Sequence, residues 1–157
     1  MMPTLVYEKD VICPPALAVG RIYQALGSSD TRQVTYNLSV PFERLGLPKV
    51  AVSRDVIVTV GDPQRKRSLT RIPISWRVPE SDAFPVFQGF FEVQPLSSYD
   101  VQIALLGYYH APFGTIGAVF DAILGRRIAE VTVEHLVEEI AAAIAEPLIA
   151  SKAAQQG

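Results

Sequence analysis

Between Gln33 and His110 the apolar residues recur at every second position, and from Thr115 to about Ala145 they recur at helical spacing in a run without proline. That change of period constrains the chain more than any single residue does. Strands joined by short connections form an antiparallel meander with one apolar face, and such a face must be covered. The final segment is the only element long enough to cover it. On this reading the chain is an α+β domain in which a curved antiparallel sheet of about six or seven strands wraps around a long C-terminal helix.

The strand phases are explicit. Val50, Val52, Val56, Val58 and Val60 share one face of their segment, interrupted by Arg54; Ile72, Ile74, Trp76 and Val78 share a face of the next. Pro73 falls on the polar side of that strand, and its missing N–H predicts an edge or a bulge. Further on, Phe87, Gly89, Phe91 and Val93 alternate with Gln88, Phe90, Glu92 and Gln94. Val101, Ile103, Leu105, Gly107 and Tyr109 then alternate with Gln102, Ala104, Leu106, Tyr108 and His110. In the long helix Ala129, Val133, Leu136, Val137, Ile140, Ala143 and Ile144 fall on one side, with Glu130, Glu134, Glu138 and Glu139 expected on a hydrated face. Its first turns are apolar over a broader circumference.

Ahead of the meander, Thr4 to Ile12 reads as a strand. "CPPALAVGRIYQAL" reads as a helix opened by prolines, with Leu17, Val19, Ile22, Tyr23 and Leu26 on its apolar side and Gly27 as its C-cap. Five strands are legible between this helix and the long one. The expected organisation is one domain over residues 1–150 and a frayed tail over 151–157.

Composition removes several function classes. A formal charge of −2 gives no basis for a nucleic-acid partner, and the basic run Arg65-Lys66-Arg67 after Gly61-Asp62-Pro63 reads as a solvated hairpin tip. Cys13 stands alone, so no internal disulfide is available. No His, Cys, Asp or Glu spacing suits a metal, no glycine loop suits a nucleotide, and no cofactor is expected. No apolar stretch approaches the length of a membrane span, and a cytoplasmic location is expected by default.

The order of elements, with "ISWRV", "FPVFQGFFEVQPLSS" and a strand ending in Gly107-x-Tyr109 that runs through Pro112-x-Gly114 into Gly117, Asp121 and the long helix, resembles the helix-grip superfamily. This superfamily is also called START-like or SRPBCC, and the resemblance is greatest to its uncharacterised bacterial members. Lipid-transfer proteins and polyketide cyclases and aromatases also belong to it. Its members commonly have six strands between the early helical region and the long helix, one more than is legible here. The resemblance implies a cavity between sheet and helix for an apolar or amphipathic ligand.

Tyr36, Trp76, Phe87, Phe91, Tyr109, Phe113, Phe120 and Leu124 are the candidates to line that cavity, with Arg54 as a charged group able to meet a carboxylate. The tyrosines and the tryptophan join an apolar body to one hydrogen-bonding tip. Binding of a small lipid- or polyketide-like molecule without catalysis is the first functional expectation. A cyclase, aromatase or dehydratase using Tyr109, Arg54 or His110 to move protons is the second. A homodimer formed through Phe90, Leu106 and Tyr108 on the outer face is the third.

Overall fold

The computed structural model describes residues 4–27, 33–41, 51–77, 86–110 and 118–146, with the backbone alone for 38–41, 51–54, 110, 118–126 and 128. Strand β1 (Thr4–Ile12) leads through Cys13 into helix α1 (Pro15–Ala25). Strands β2 (Gln33–Pro41), β3 (Ala51–Val60), β4 (Gln64–Lys66), β5 (Leu69–Arg77), β6 (Val86–Pro95) and β7 (Asp100–His110) follow, and helix α2 spans Ala118–Ile144. All pairings are antiparallel in the order β1-β7-β6-β5-β3-β2, with β4 paired to β5 alone. The expected curved-sheet, α+β architecture is therefore present, with seven strands among the described residues. The strand missing from the sequence reading is β4, the three exposed residues of the basic hairpin tip.

Strand β4 exists because of a bulge. Val60 lies opposite Ile74 and Gln64 opposite Arg71, so three residues, 61–63, face two on β5. Pro73 is one of those two. Its carbonyl accepts from the Gly61 N–H at 2.8 Å, so its absent N–H would have pointed to this same side, where the ladder is already broken. Tyr23 of α1 secures the bulge by donating its hydroxyl to the Gly61 carbonyl at 2.6 Å.

The alternation read from the sequence sets the core. Leu5 and Val11 of β1, Val56, Val58 and Val60 of β3, Ile72, Ile74 and Trp76 of β5, Phe87, Phe91 and Val93 of β6, and Val101, Ile103, Leu105 and Tyr109 of β7 are all buried on one face. Helix α2 meets them with Ala129, Val133, Leu136, Val137, Ile140, Ala141 and Ile144, whereas Ala143, expected on this side, is exposed and Ala141, one turn before Ile144, is buried instead. Val131, Thr132 and Val133 are buried in succession, while Glu130 is exposed; apart from Val131, the apolar side chains expected to give the first turns their broader circumference lie outside the described residues. In α1 the buried positions are Ala18 and Ile22, followed by Leu26 at its C-cap, whereas Leu17 is exposed. Ala18 and Ile22 are one turn apart, and Leu17 is rotated about 100° from Ala18. Gly27 caps the helix at φ 77°, a conformation that glycine adopts at little cost.

Two adjacent glutamates hold the sheet around α2. Glu138 accepts from the Tyr7 hydroxyl at 2.6 Å and pairs with Lys9, both on β1. Glu139 accepts from the Tyr36 hydroxyl at 2.9 Å, on β2. Strands β1 and β2 are the opposite ends of the main sheet. Successive helical residues point about 100° apart, so neighbours in sequence can reach opposite edges of a sheet that surrounds them. Glu138 was expected on a hydrated face; it is half-buried and engaged because the curvature brings β1 to it. At the C-terminal end of α2, Arg21 donates to the Ile144 carbonyl at 3.1 Å and pairs with Glu146 at 2.9 Å, a cation where helix carbonyls are left over.

Candidate ligand site between the sheet and the long helix

Trp76 lies opposite Phe87, and Phe87 opposite Tyr109. With Val58, which faces Trp76, they form one row across β3, β5, β6 and β7. Trp76, Phe87 and Tyr109 are 5%, 1% and 2% exposed. The rings of Trp76 and Phe87 stack at 4.3 Å with 13° between their planes. The next row towards the β6–β7 hairpin is Ile74, Gly89, Gly107 and Leu5. The room left by this glycine pair is not open, because the Phe87 ring leans across it: a Cβ on Gly107 would come within 2.8 Å of Phe87 Cζ. Phe91 sits one row further on, with Ile72, Leu105 and Tyr7.

Of the sequence candidates, Trp76, Phe87 and Tyr109 thus come together, and Phe91 belongs to the adjoining core. Tyr36 is used differently, as a half-buried member of the clasp to Glu139. Burial and then the bond to Glu139 raise its pKa, so it remains a protonated donor across the ordinary pH range. Arg54 lies opposite Leu38 in the β2–β3 ladder, but its side chain lies outside the described residues, as do those of Phe120, Leu124 and His110. Phe113 lies outside them altogether.

Helix α2 runs close to β1 and β2, the two edges, and less closely to β7; among the described residues it makes no comparable approach to β3, β5 or β6. The middle of the sheet is therefore its most distant part from the helix backbone. The large rings of Trp76, Phe87 and Phe91 project into that interval.

A second concavity was not anticipated from sequence. It is a hollow of about 540 Å³ on the opposite, outer face, lined by Thr4, Thr59, Ser75, Gln88, Phe90 and Tyr108 among others, with Gly89 and Gly107 in its floor. Its signal lies in register, which sequence alone does not supply. Thr59, Ser75, Gln88, Tyr108 and Thr4 are successive cross-strand partners across five strands.

Neither a family model nor a curated protein sequence matches the chain. Solved structures do. A conserved protein from Geobacillus kaustophilus superposes with a TM-score of 0.57 at 12% identity, over 90% of this chain and 95% of that one. A START superfamily protein from Mycobacterium smegmatis gives 0.51 at 15%, over 90% and 96%. An aromatase/cyclase from Streptomyces sp. R1128 gives 0.53 at 14%, over 90% and 93%. The chain has the START-like, helix-grip fold. Within this helix-grip fold the Trp76–Phe87–Tyr109 row lies on the gripped side and the 540 Å³ hollow on the other. Among the described residues no group of three or more His, Cys, Asp or Glu could hold a metal ion, and no helix is long and apolar enough to cross a membrane.

Proposed function

We propose that the chain binds a small apolar or amphipathic molecule between the middle of its sheet and α2, against Trp76, Phe87 and Tyr109. The observation that carries this reading is the placement of α2, close to both sheet edges and remote from the middle strands whose aromatic rings fill the interval. Side chains filling such an interval can move by rotation about χ1 and χ2, whereas a helix backbone cannot retreat without releasing both edges. An entering ligand would take the place of the Phe87 ring on Trp76, keeping a flat apolar partner there. Tyr109 supplies a hydroxyl beside it, in keeping with sites that are mostly apolar with few polar groups. The fold shared with a START superfamily protein and an aromatase/cyclase supports ligand binding as the role.

The chain has one tryptophan, so its fluorescence reports this row alone. Titration with N-phenyl-1-naphthylamine and with palmitic acid is expected to change Trp76 emission saturably, and native mass spectrometry after exposure to a lipid extract is expected to show retained mass. Unchanged emission with both probes and no retained mass would overturn the reading. A cyclase or aromatase role would in addition require proton transfer by Tyr109, the ionisable group that the row presents. Conversion of a polyketide substrate that disappears in Tyr109→Phe while the Trp76 titration persists would establish that alternative.

A further inference from the structure

The outer hollow has a two-part lining. One row, Thr59, Ser75, Gln88, Tyr108 and Thr4, runs across five strands, four strand spacings of about 4.8 Å or roughly 19 Å in all. All five side chains are neutral, all can both donate and accept hydrogen bonds, and none has a hydrogen-bond partner among the described residues. The parallel row beside it, Pro73, Phe90 and Leu106, is wholly apolar. Some polar side chains elsewhere on the exterior are paired with one another, as Asn37 is with Asp55, Gln102 with Asp10, and Gln94 with Ser68. In the hollow these groups stand in one unbroken row of cross-strand partners.

Charge narrows the ligand further. The cation at the rim, Arg71, is held by Glu92 through bonds of 2.9 and 2.6 Å and lies over the Phe90 ring at 4.8 Å. Its charge is neutralised, and among the described residues no other Arg or Lys lines the hollow, so nothing in the lining favours an anion. A peptide strand would need an open sheet edge, and β5, β6 and β7 each have partners on both sides. A lipid chain would leave the polar row unmatched. What matches both rows is a molecule with hydroxyls along one side and a C–H face along the other.

We propose that this hollow binds a neutral, polyhydroxylated ligand, a short oligosaccharide, lying across the strands. Its hydroxyls exchange hydrogen bonds with Thr59, Ser75, Gln88, Tyr108 and Thr4, while its ring faces pack on Phe90 and Leu106. The volume of about 540 Å³ falls within the roughly 300–1,000 Å³ of small-molecule sites. The inference does not rest on the interior site, which lies on the other face of the sheet.

Saturation-transfer NMR on the intact chain with maltotriose, cellotriose and chitotriose, each up to about 10 mM so that millimolar affinities register, tests it. At least one trisaccharide is expected to bind saturably. Gln88→Ala and Tyr108→Ala, both exposed and free of core contacts, are each expected to weaken it about tenfold, close to 1.4 kcal/mol. Tyr99→Ala, an exposed tyrosine at the β6–β7 hairpin, leaves it unchanged, and all three variants keep the Trp76 titration. Absence of binding by all three sugars, or binding that survives both hollow variants, overturns the proposal. So does a dimer in sedimentation that Tyr108→Ala dissociates, because the face would then meet a second copy.

Discussion

The two faces of the central sheet are built from the same stretches of chain and do opposite work. Trp76 faces inward and Ser75 outward; Phe87 faces inward and Gln88 outward; Tyr109 faces inward and Tyr108 outward. One row becomes a stack of rings under a helix, the other a line of hydroxyls and an amide open to solvent. The lesson is that in strands chemistry is assigned by parity. A slip of one residue in register would exchange the faces entirely.

The largest expected break in that comparison is in the inward aromatic row. Phe87→Ala removes a ring that stacks on Trp76 and fills the glycine hollow, and should cost about 3–5 kcal/mol in urea unfolding. Phe90→Ala, its outward neighbour, should cost about 1 kcal/mol, chiefly the contact with the Arg71 guanidinium. Equal losses at the two positions would refute the assignment of faces. Next comes the wall between the two sides. A Cβ at Gly89 would overlap the Leu106 carbonyl, which is backbone and cannot swing aside, so Gly89→Ala should cost about 3 kcal/mol. It should also shift amide signals along both rows in an NMR spectrum.

Smaller effects sharpen the contrast. Glu138→Gln weakens the attachment of β1 to α2 and should cost about 0.5–1 kcal/mol, the modest size reflecting partial exposure of both Lys9 and Glu138. At alkaline pH the sign follows from Tyr36. Its folded pKa is raised, so the folded state keeps a proton that the unfolded chain loses near pH 10. Stability from this group is therefore complete below pH 10 and falls above it. Chemical unfolding of wild type and Tyr36→Phe at pH 8 and pH 11 should show a shallower loss in the variant. Ser75→Ala, in the outer row, is expected to change stability by less than about 0.5 kcal/mol.

Much of the fold was legible because its strongest signals are periodic. The strands β5 to β7 and the buried side of α2 follow from alternation and helical spacing, and Pro73 announced a break that proved to be the bulge at residues 61–63. Strand β4 was not legible, since its three residues are exposed throughout and its pairing depends on where β5 passes. The inward orientation of Trp76, Phe87 and Tyr109 was legible by parity, and their meeting in one row depended on register. The engagement of Glu138 was hidden because a glutamate on a helix carries no mark of a distant strand curling back towards it. The outer hollow was hidden for the related reason that its five polar residues come from five separate strands.

The clasp at Glu138 and Glu139 also bears on solubility. A sheet that does not close on itself leaves two free edges, each a template for another chain to add a strand. Here β1 and β2 are those edges, and both are tied to the helix within them. Tethering holds each edge in a curved path to which a flat strand from a neighbouring molecule fits poorly. Release of the helix would accordingly make the chain adhesive along two lines at once, before its core had come apart.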